Sequence, residues 1–192
     1  MFTSKIIASI VLASVAGAGV ALAQDGDYGL GREATKKEIA GWNIDVPPSG
    51  AGLPDGSGSV SEGKLVYQAQ CQSCHGVDGK SGQMDRLVGG KGSLASATPV
   101  KTVGSYWPYA TTLYDYIHRA MPFHSPQSLS ADQTYAVTAY VLHLNGILEE
   151  GTRLDAGSLP KIKMPNRDGF IRPDPRPDVN AEACMSDCRS GG

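Results

Sequence analysis

The sequence predicts an all-α domain over residues 59–146, carried between two extended arms. Three observations lead there. Apolar residues recur at helical spacing in three segments: Leu65, Val66 and Ala69; Leu113, Tyr116 and Ile117; and Tyr135, Ala136, Ala139, Tyr140 and Leu142. Between the first two segments, Gly76 to Pro108 is rich in glycine and holds no convincing strand pattern. Outside the domain, residues 24–58 are Gly- and Pro-rich, and residues 147–192 carry five prolines and a near balance of charges.

The elements follow in chain order. Residues 1–23 read as an export signal: Lys5 precedes an apolar run that ends in Ala21-Leu22-Ala23, a small-residue cleavage pattern near Ala23. The run from Ile6 is barely long enough to span a bilayer and has no positive cluster on its far side, so no membrane span is expected after cleavage. Within the N-terminal arm, residues 24–58, the stretch Arg32 to Trp42 predicts a short helix capped by Thr35, with Glu38 three positions on. Ser59 and Glu62 form a second capping box and start the helix that runs into Cys71. A middle helix is expected over Ala110 to Ala120. The last begins at Ser130, with Gln133 as the reciprocal cap, and is ended by Gly146. The tail from residue 147 has the composition of an arm that docks against something.

Removing the leader takes away one lysine and leaves 16 basic against 19 acidic side chains, so no nucleic-acid partner is expected. An exported chain with four cysteines would ordinarily be read as having two disulfides. The spacing argues otherwise. Cys71, Cys74 and His75 form Cys-x-x-Cys-His, whereas Cys184 and Cys188 stand apart in the tail.

Two thiols three positions apart on a helical turn can add across the two neighbouring vinyl groups of haem, and the next residue then projects toward the iron. The motif is therefore the attachment signature of one covalently bound haem c, with His75 as an axial ligand through Nε2. A thioredoxin-like redox pair would want a strand before the motif and a helix starting at its first cysteine, whereas here a helix leads in and glycine follows. Structural zinc would need further ligands at short spacing.

For the opposite face of the iron the candidates are Met84, Met121, Met164, His118, His124 and His143. Met121 has the best setting, because Met121-Pro122 follows a helix directly and the proline stiffens the loop that presents the sulfur. A thioether ligand raises the potential, as suits electron transfer. The Nδ1 proton of His75 needs an acceptor, expected in the loop from Asp85 to Gly90. Trp107 and Tyr109 carry N–H and O–H donors and read equally as core packing or as donors to the haem propionates.

With these residues in place, residues 59–146 resemble a class I cytochrome c: a first helix with Gly63 and Tyr67, the haem motif, a middle helix, Met-Pro, and a last helix with Tyr140. The resemblance implies that first and last helices cross, with Gly63 allowing close approach to the Tyr140 face. The family's usual proline in the loop supplying the His75 acceptor is absent, with Asp85 near its place. Longer segments, YGLGREATKKEIAGWNIDVPPSGAGLPDGSGSV, TVGSYWPYATTLYDYIHRAMPFHSPQSL and LDAGSLPKIKMPNRDGFIRPDPRPDV with a closing CMSDC, resemble the SoxD-type cytochrome subunits of sulfane dehydrogenases. That resemblance implies a periplasmic electron-transfer subunit that is not catalytic alone. Its implied partners are a molybdopterin subunit of the sulfite oxidase family and a downstream cytochrome c. Longer members carry a second haem module, but this chain has one Cys-x-x-Cys-His, which leaves sulfane and sulfite dehydrogenase both open. Cys184 and Cys188 would then close a small loop pinning the tail. The alternative is a free soluble shuttle, for which the long arms have no use.

Overall fold

A computed structural model describes residues 30–170. The chain divides into two compact units between Trp42 and Asn43. In the first, helix α1 (Lys36–Trp42) starts where the sequence places it. Thr35 Oγ1 accepts the Glu38 N–H at 3.3 Å, and the Glu38 carboxylate accepts the Thr35 N–H at 2.8 Å. Arg32 donates to the same carboxylate at 2.9 Å. No residue of α1 is buried.

The second unit runs through β1 (Ser57–Ser59), α2 (Val60–Gln70), α3 (Gln72–His75), α4 (Ala110–Ala120), α5 (Ala131–Leu144), β2 (Arg153–Asp155) and a 3-10 turn at Leu159–Lys161. Both long helices that frame it begin in complete capping boxes, Ser59 with Glu62 and Ser130 with Gln133. At the end of α5, Gly146 at φ +66° lets the Ile147 N–H reach back to the Leu142 carbonyl at 3.0 Å and its own N–H reach His143 at 2.8 Å.

Helices α2 and α5 cross at Gly63. A Cβ at that position would overlap the Ala136 carbonyl and lie 2.9 Å from Tyr140 Cβ, so only glycine permits the contact. One turn on, Tyr67 packs its ring against Tyr140 at 5.3 Å between centroids. Helix α4 closes the other side of α5, with Tyr114 against Tyr135 at 4.5 Å. The resulting core is dominated by buried tyrosines and aliphatics: Tyr67, Tyr114, Tyr135, Val137, Val141 and Leu142.

The fold is predominantly helical but not all-α. Strand β1 pairs antiparallel with β2, with Ser57 opposite Asp155, Gly58 opposite Leu154 and Ser59 opposite Arg153. Tyr109 and Lys163 form a further isolated bridge. Three-residue strands are too short to show an alternation, and these two lie almost a hundred positions apart. No local pattern announces them.

The segments flanking the three-helix frame supply part of its core. Val46 is buried, and its N–H donates to Asp115 on α4 at 2.7 Å. The Tyr135 hydroxyl donates to the Pro54 carbonyl at 2.9 Å. From the other flank, Leu154, Leu159 and Met164 are buried. The strandless loop between α3 and α4 is held by its own polar groups: Thr102 Oγ1 donates to the Gly89 carbonyl at 2.6 Å and Ser105 Oγ to that of Val100 at 2.7 Å. Asn145 ties the loop to α5 by donating to the Leu87 carbonyl at 3.1 Å. The leader, residues 1–23, and the Cys184–Cys188 pair lie outside the described residues. Among the described residues no helix is long and apolar enough to cross a membrane.

Candidate haem site

Helix α2 delivers Cys71 at its C-cap, where the Cys71 N–H still donates to the Tyr67 carbonyl at 2.9 Å. The single turn α3 then carries Cys74 and His75, with the Cys74 and His75 N–H groups bonded to the Cys71 carbonyl at 3.1 and 3.0 Å. Both thiols are free. Cys71 is half-buried against the core and Cys74 is exposed. Burial, with the neighbouring Cys74 adding to it, pushes the Cys71 thiol up to about 11. A dithiol redox site needs the opposite, a thiolate favoured near neutrality. Among the described residues no three Cys, His, Asp or Glu side chains converge into a group that could hold a metal ion.

The His75 ring is oriented from its far side. Nδ1–H donates to the Asp85 backbone carbonyl at 2.8 Å, so the acceptor lies in the loop where the sequence places it, without the family's usual proline. This bond fixes the tautomer and leaves Nε2 as the ring nitrogen with a lone pair for a metal. The loop is folded tightly back to provide that carbonyl: the Met84 N–H donates to the Cys74 carbonyl at 3.0 Å, and Leu87 N–H to Gly79 at 2.8 Å. Two free thiols one turn apart, followed by an imidazole with Nδ1 engaged and Nε2 open, are the donor set a c-type haem requires.

Met121 is the C-cap of α4, in an extended conformation that takes its side chain off the helix. It is half-buried and packs against the core, and Pro122 behind it is buried. Phe123 and His124 beyond it are exposed, Phe123 by 78%. Trp107 is half-buried, edge-on to Tyr116 at 5.7 Å. Tyr109 is engaged by the C-terminal flank, its ring covered by the Arg167 guanidinium at 4.2 Å. Of the other candidates, His143 donates from Nδ1 to the Leu148 carbonyl at 2.9 Å, and Met164 is buried in the core. The His118 ring stacks on Tyr114, and its buried Nδ1 has no partner among the described residues.

Two residues that position this region escape a reading by spacing. Asp115 is buried on α4 and accepts from Val46 N–H and from Arg119 Nε at 2.9 Å, so it docks the N-terminal flank onto the helix that leads to Met121. A carboxylate among the mostly apolar buried residues of α4 is the signal that marks it. Tyr67 donates its hydroxyl to the Gly76 carbonyl at 2.8 Å.

The geometry has a close counterpart. The chain matches one in the crystal structure of the sulfane dehydrogenase SoxCD from Paracoccus pantotrophus, with 45% identity, a TM-score of 0.74, and coverage of 86% of this chain and 84% of that one. This chain is a SoxD-like c-type cytochrome. The cytochrome domain is matched separately over residues 58–141 by the family described as cytochrome C oxidase, cbb3-type, subunit III. That span opens in β1 and closes within α5, so it takes in the haem motif, α4 and Met121. No curated protein matches the chain. The matched cytochrome c domain implies haem c, and with the SoxCD likeness it makes this chain an electron-transfer cytochrome.

Proposed function

We propose that this cytochrome is the periplasmic, mono-haem subunit that accepts electrons from a molybdopterin subunit of the sulfite oxidase family, oxidising sulfane sulfur or sulfite, and passes them to a downstream cytochrome c. The observation that carries the reading is the match to a SoxCD chain at 45% identity over most of both chains. Bound haem c supplies a one-electron couple. In this reading Cys71 and Cys74 would anchor the haem, and His75 through Nε2 and Met121 through Sδ would ligate its iron. The Asp85 carbonyl holds the His75 Nδ1 proton and so leaves Nε2 free and the ring correctly turned. Trp107 and Tyr109 would be the donors to the propionates, with the Tyr109 ring held from its face by Arg167.

The N-terminal unit supports a subunit rather than a free shuttle. Residues 43–192 make up 150 of the 192 residues, about 78%, so a match covering 86% of the chain reaches into the segment before Asn43. There α1 exposes Ile39 by 52% and Trp42 by 88%, three positions apart on one side. A seven-residue helix is marginal in water by itself, and such a pair of apolar side chains is what a partner's groove would cover.

The decisive experiment is affinity capture of the full chain from a native extract of its host, with metal analysis of what is retained. Stoichiometric molybdenum and sulfur-compound-dependent haem reduction are expected; a haem-loaded monomer with no molybdenum protein would sink the subunit reading. Replacing Ile39 and Trp42 by Ala should weaken that capture at least tenfold while leaving the haem spectrum unchanged. Met121→Ala should abolish the sulfur–iron charge-transfer absorption and lower the potential. Retention of both would remove Met121 as ligand.

A further inference from the structure

The haem motif leaves helix α3 through an uncommon backbone conformation. Gly76 sits at φ +81°, ψ 164°, a region that only glycine occupies cheaply and that persists where surrounding contacts hold it. Those contacts are identifiable. The Gly76 N–H donates to the Gln72 carbonyl at 2.8 Å, and the Gly76 carbonyl accepts from the Tyr67 hydroxyl at 2.8 Å and the Gly79 N–H at 3.3 Å. Of these, Tyr67 supplies the one side-chain contact, reaching in from α2. Tyr67 is 0% exposed and braced by Tyr140 across the α2–α5 crossing, so its hydroxyl cannot exchange this acceptor for water. The same turn leads into residues 77–85, which return the Asp85 carbonyl to His75 Nδ1.

We infer that Tyr67 is a positioning residue for the iron couple: its hydroxyl, by fixing the Gly76 carbonyl, holds the return loop at the distance that keeps the His75–Asp85 hydrogen bond short. This rests on the proposed role of His75 as an axial ligand. A strong Nδ1–H donation gives the imidazole more anionic character and favours the ferric state. Loosening it makes the ligand a poorer donor and raises the potential. The route runs from the helix crossing through Tyr67 to Gly76, the return loop, Asp85 and the ring.

Tyr67→Phe removes one hydroxyl and keeps the ring packing, a loss of one hydrogen bond that a domain of this size tolerates. The comparison is Tyr140→Phe, which alters the same ring pair at a hydroxyl that, unlike that of Tyr67, bonds no carbonyl of the haem-motif turn. Both full-length haem-loaded variants are compared with the parent by redox titration and by the resonance of the axial-imidazole Nδ1 proton. The expected result is an upward shift for Tyr67→Phe alone, of at least threefold in the reduction equilibrium, about 28 mV at 59 mV per tenfold for one electron, with a displaced Nδ1 proton resonance. No upward shift, or equal shifts in both variants, overturns the inference, whatever happens to thermal stability. Failure of the parent chain to bind haem through His75 would instead defeat the reading on which it rests.

Discussion

At the scale of single residues, this protein places polar groups where a neighbouring turn depends on them. Glu62 accepts the Ser59 N–H and hydroxyl, both at 2.7 Å, and Arg153 from the start of β2 at 2.9 Å. These bonds, the Ser59 ones foremost, hold its carboxyl down at about 2, against an ordinary value of 4.5. A carboxyl depressed in the folded state contributes stability that is fully present above the unfolded value and lost as pH falls toward the folded one. The thermal midpoint of the parent should therefore exceed that of Glu62→Gln by a constant margin above about pH 5, a margin that shrinks between pH 4.5 and 2. A margin independent of pH in that window would refute the assignment. Asp115, by contrast, is buried. Asp115→Ala strands the Val46 N–H and the Arg119 guanidinium, and should cost about 1–3 kcal/mol in chemical unfolding. Glu62 is legible from the Ser-x-x-Glu spacing, because both partners of a capping box lie within one turn. The role of Asp115 is not, since its partner Val46 is 69 positions away.

At the scale of elements, α2 and α5 carry the architecture and their contact turns on Gly63. Gly63→Ala gains helix propensity but drives a methyl group into the Ala136 carbonyl, so the helices must separate. We expect a net loss of about 1–3 kcal/mol, measured by denaturant unfolding. A neutral or stabilising outcome would mean that the crossing yields easily. The helices themselves were readable: caps, apolar spacing and the glycine stop of α5 are all local signals. The loop between α3 and α4 was readable only as lacking strands. Its actual form depends on Thr102, Ser105 and Asn145 finding backbone carbonyls, choices that sequence spacing does not rank. The same holds for β1 and β2, whose pairing arises because Leu154 must be buried and its neighbours' backbone groups then need partners.

At the scale of the molecule, the described C-terminal flank completes the domain. Leu154, Leu159 and Met164 are buried, and the adjoining segment bridges to Tyr109, covers its ring with Arg167 and bonds Tyr106 through Asn166 at 2.6 Å. Leu159→Ala should therefore cost about 2–5 kcal/mol, as for any buried leucine, and should lower the thermal midpoint of the whole domain in one transition. A separate, earlier transition would show that the flank unfolds independently. The flank also ties the segment bearing Trp107 and Tyr109, so its loss should alter the haem surroundings as well as stability.

The cofactor motif, the three helices with their caps, and the resemblance to SoxD-type cytochromes are legible along the chain, because each is written in residues a few positions apart. That β1 pairs with β2, that Asp115 receives Val46, that Arg167 covers Tyr109, and that Tyr67 reaches across the haem motif to Gly76 emerges in three dimensions alone. The physical reason is one of range. A helical turn, a cap and a Cys-x-x-Cys-His are fixed by contacts the chain makes with itself locally. The orientation of His75 depends on a carbonyl ten positions on and a hydroxyl eight positions back. The first of these is held by the loop's fold and the second by the α2–α5 crossing.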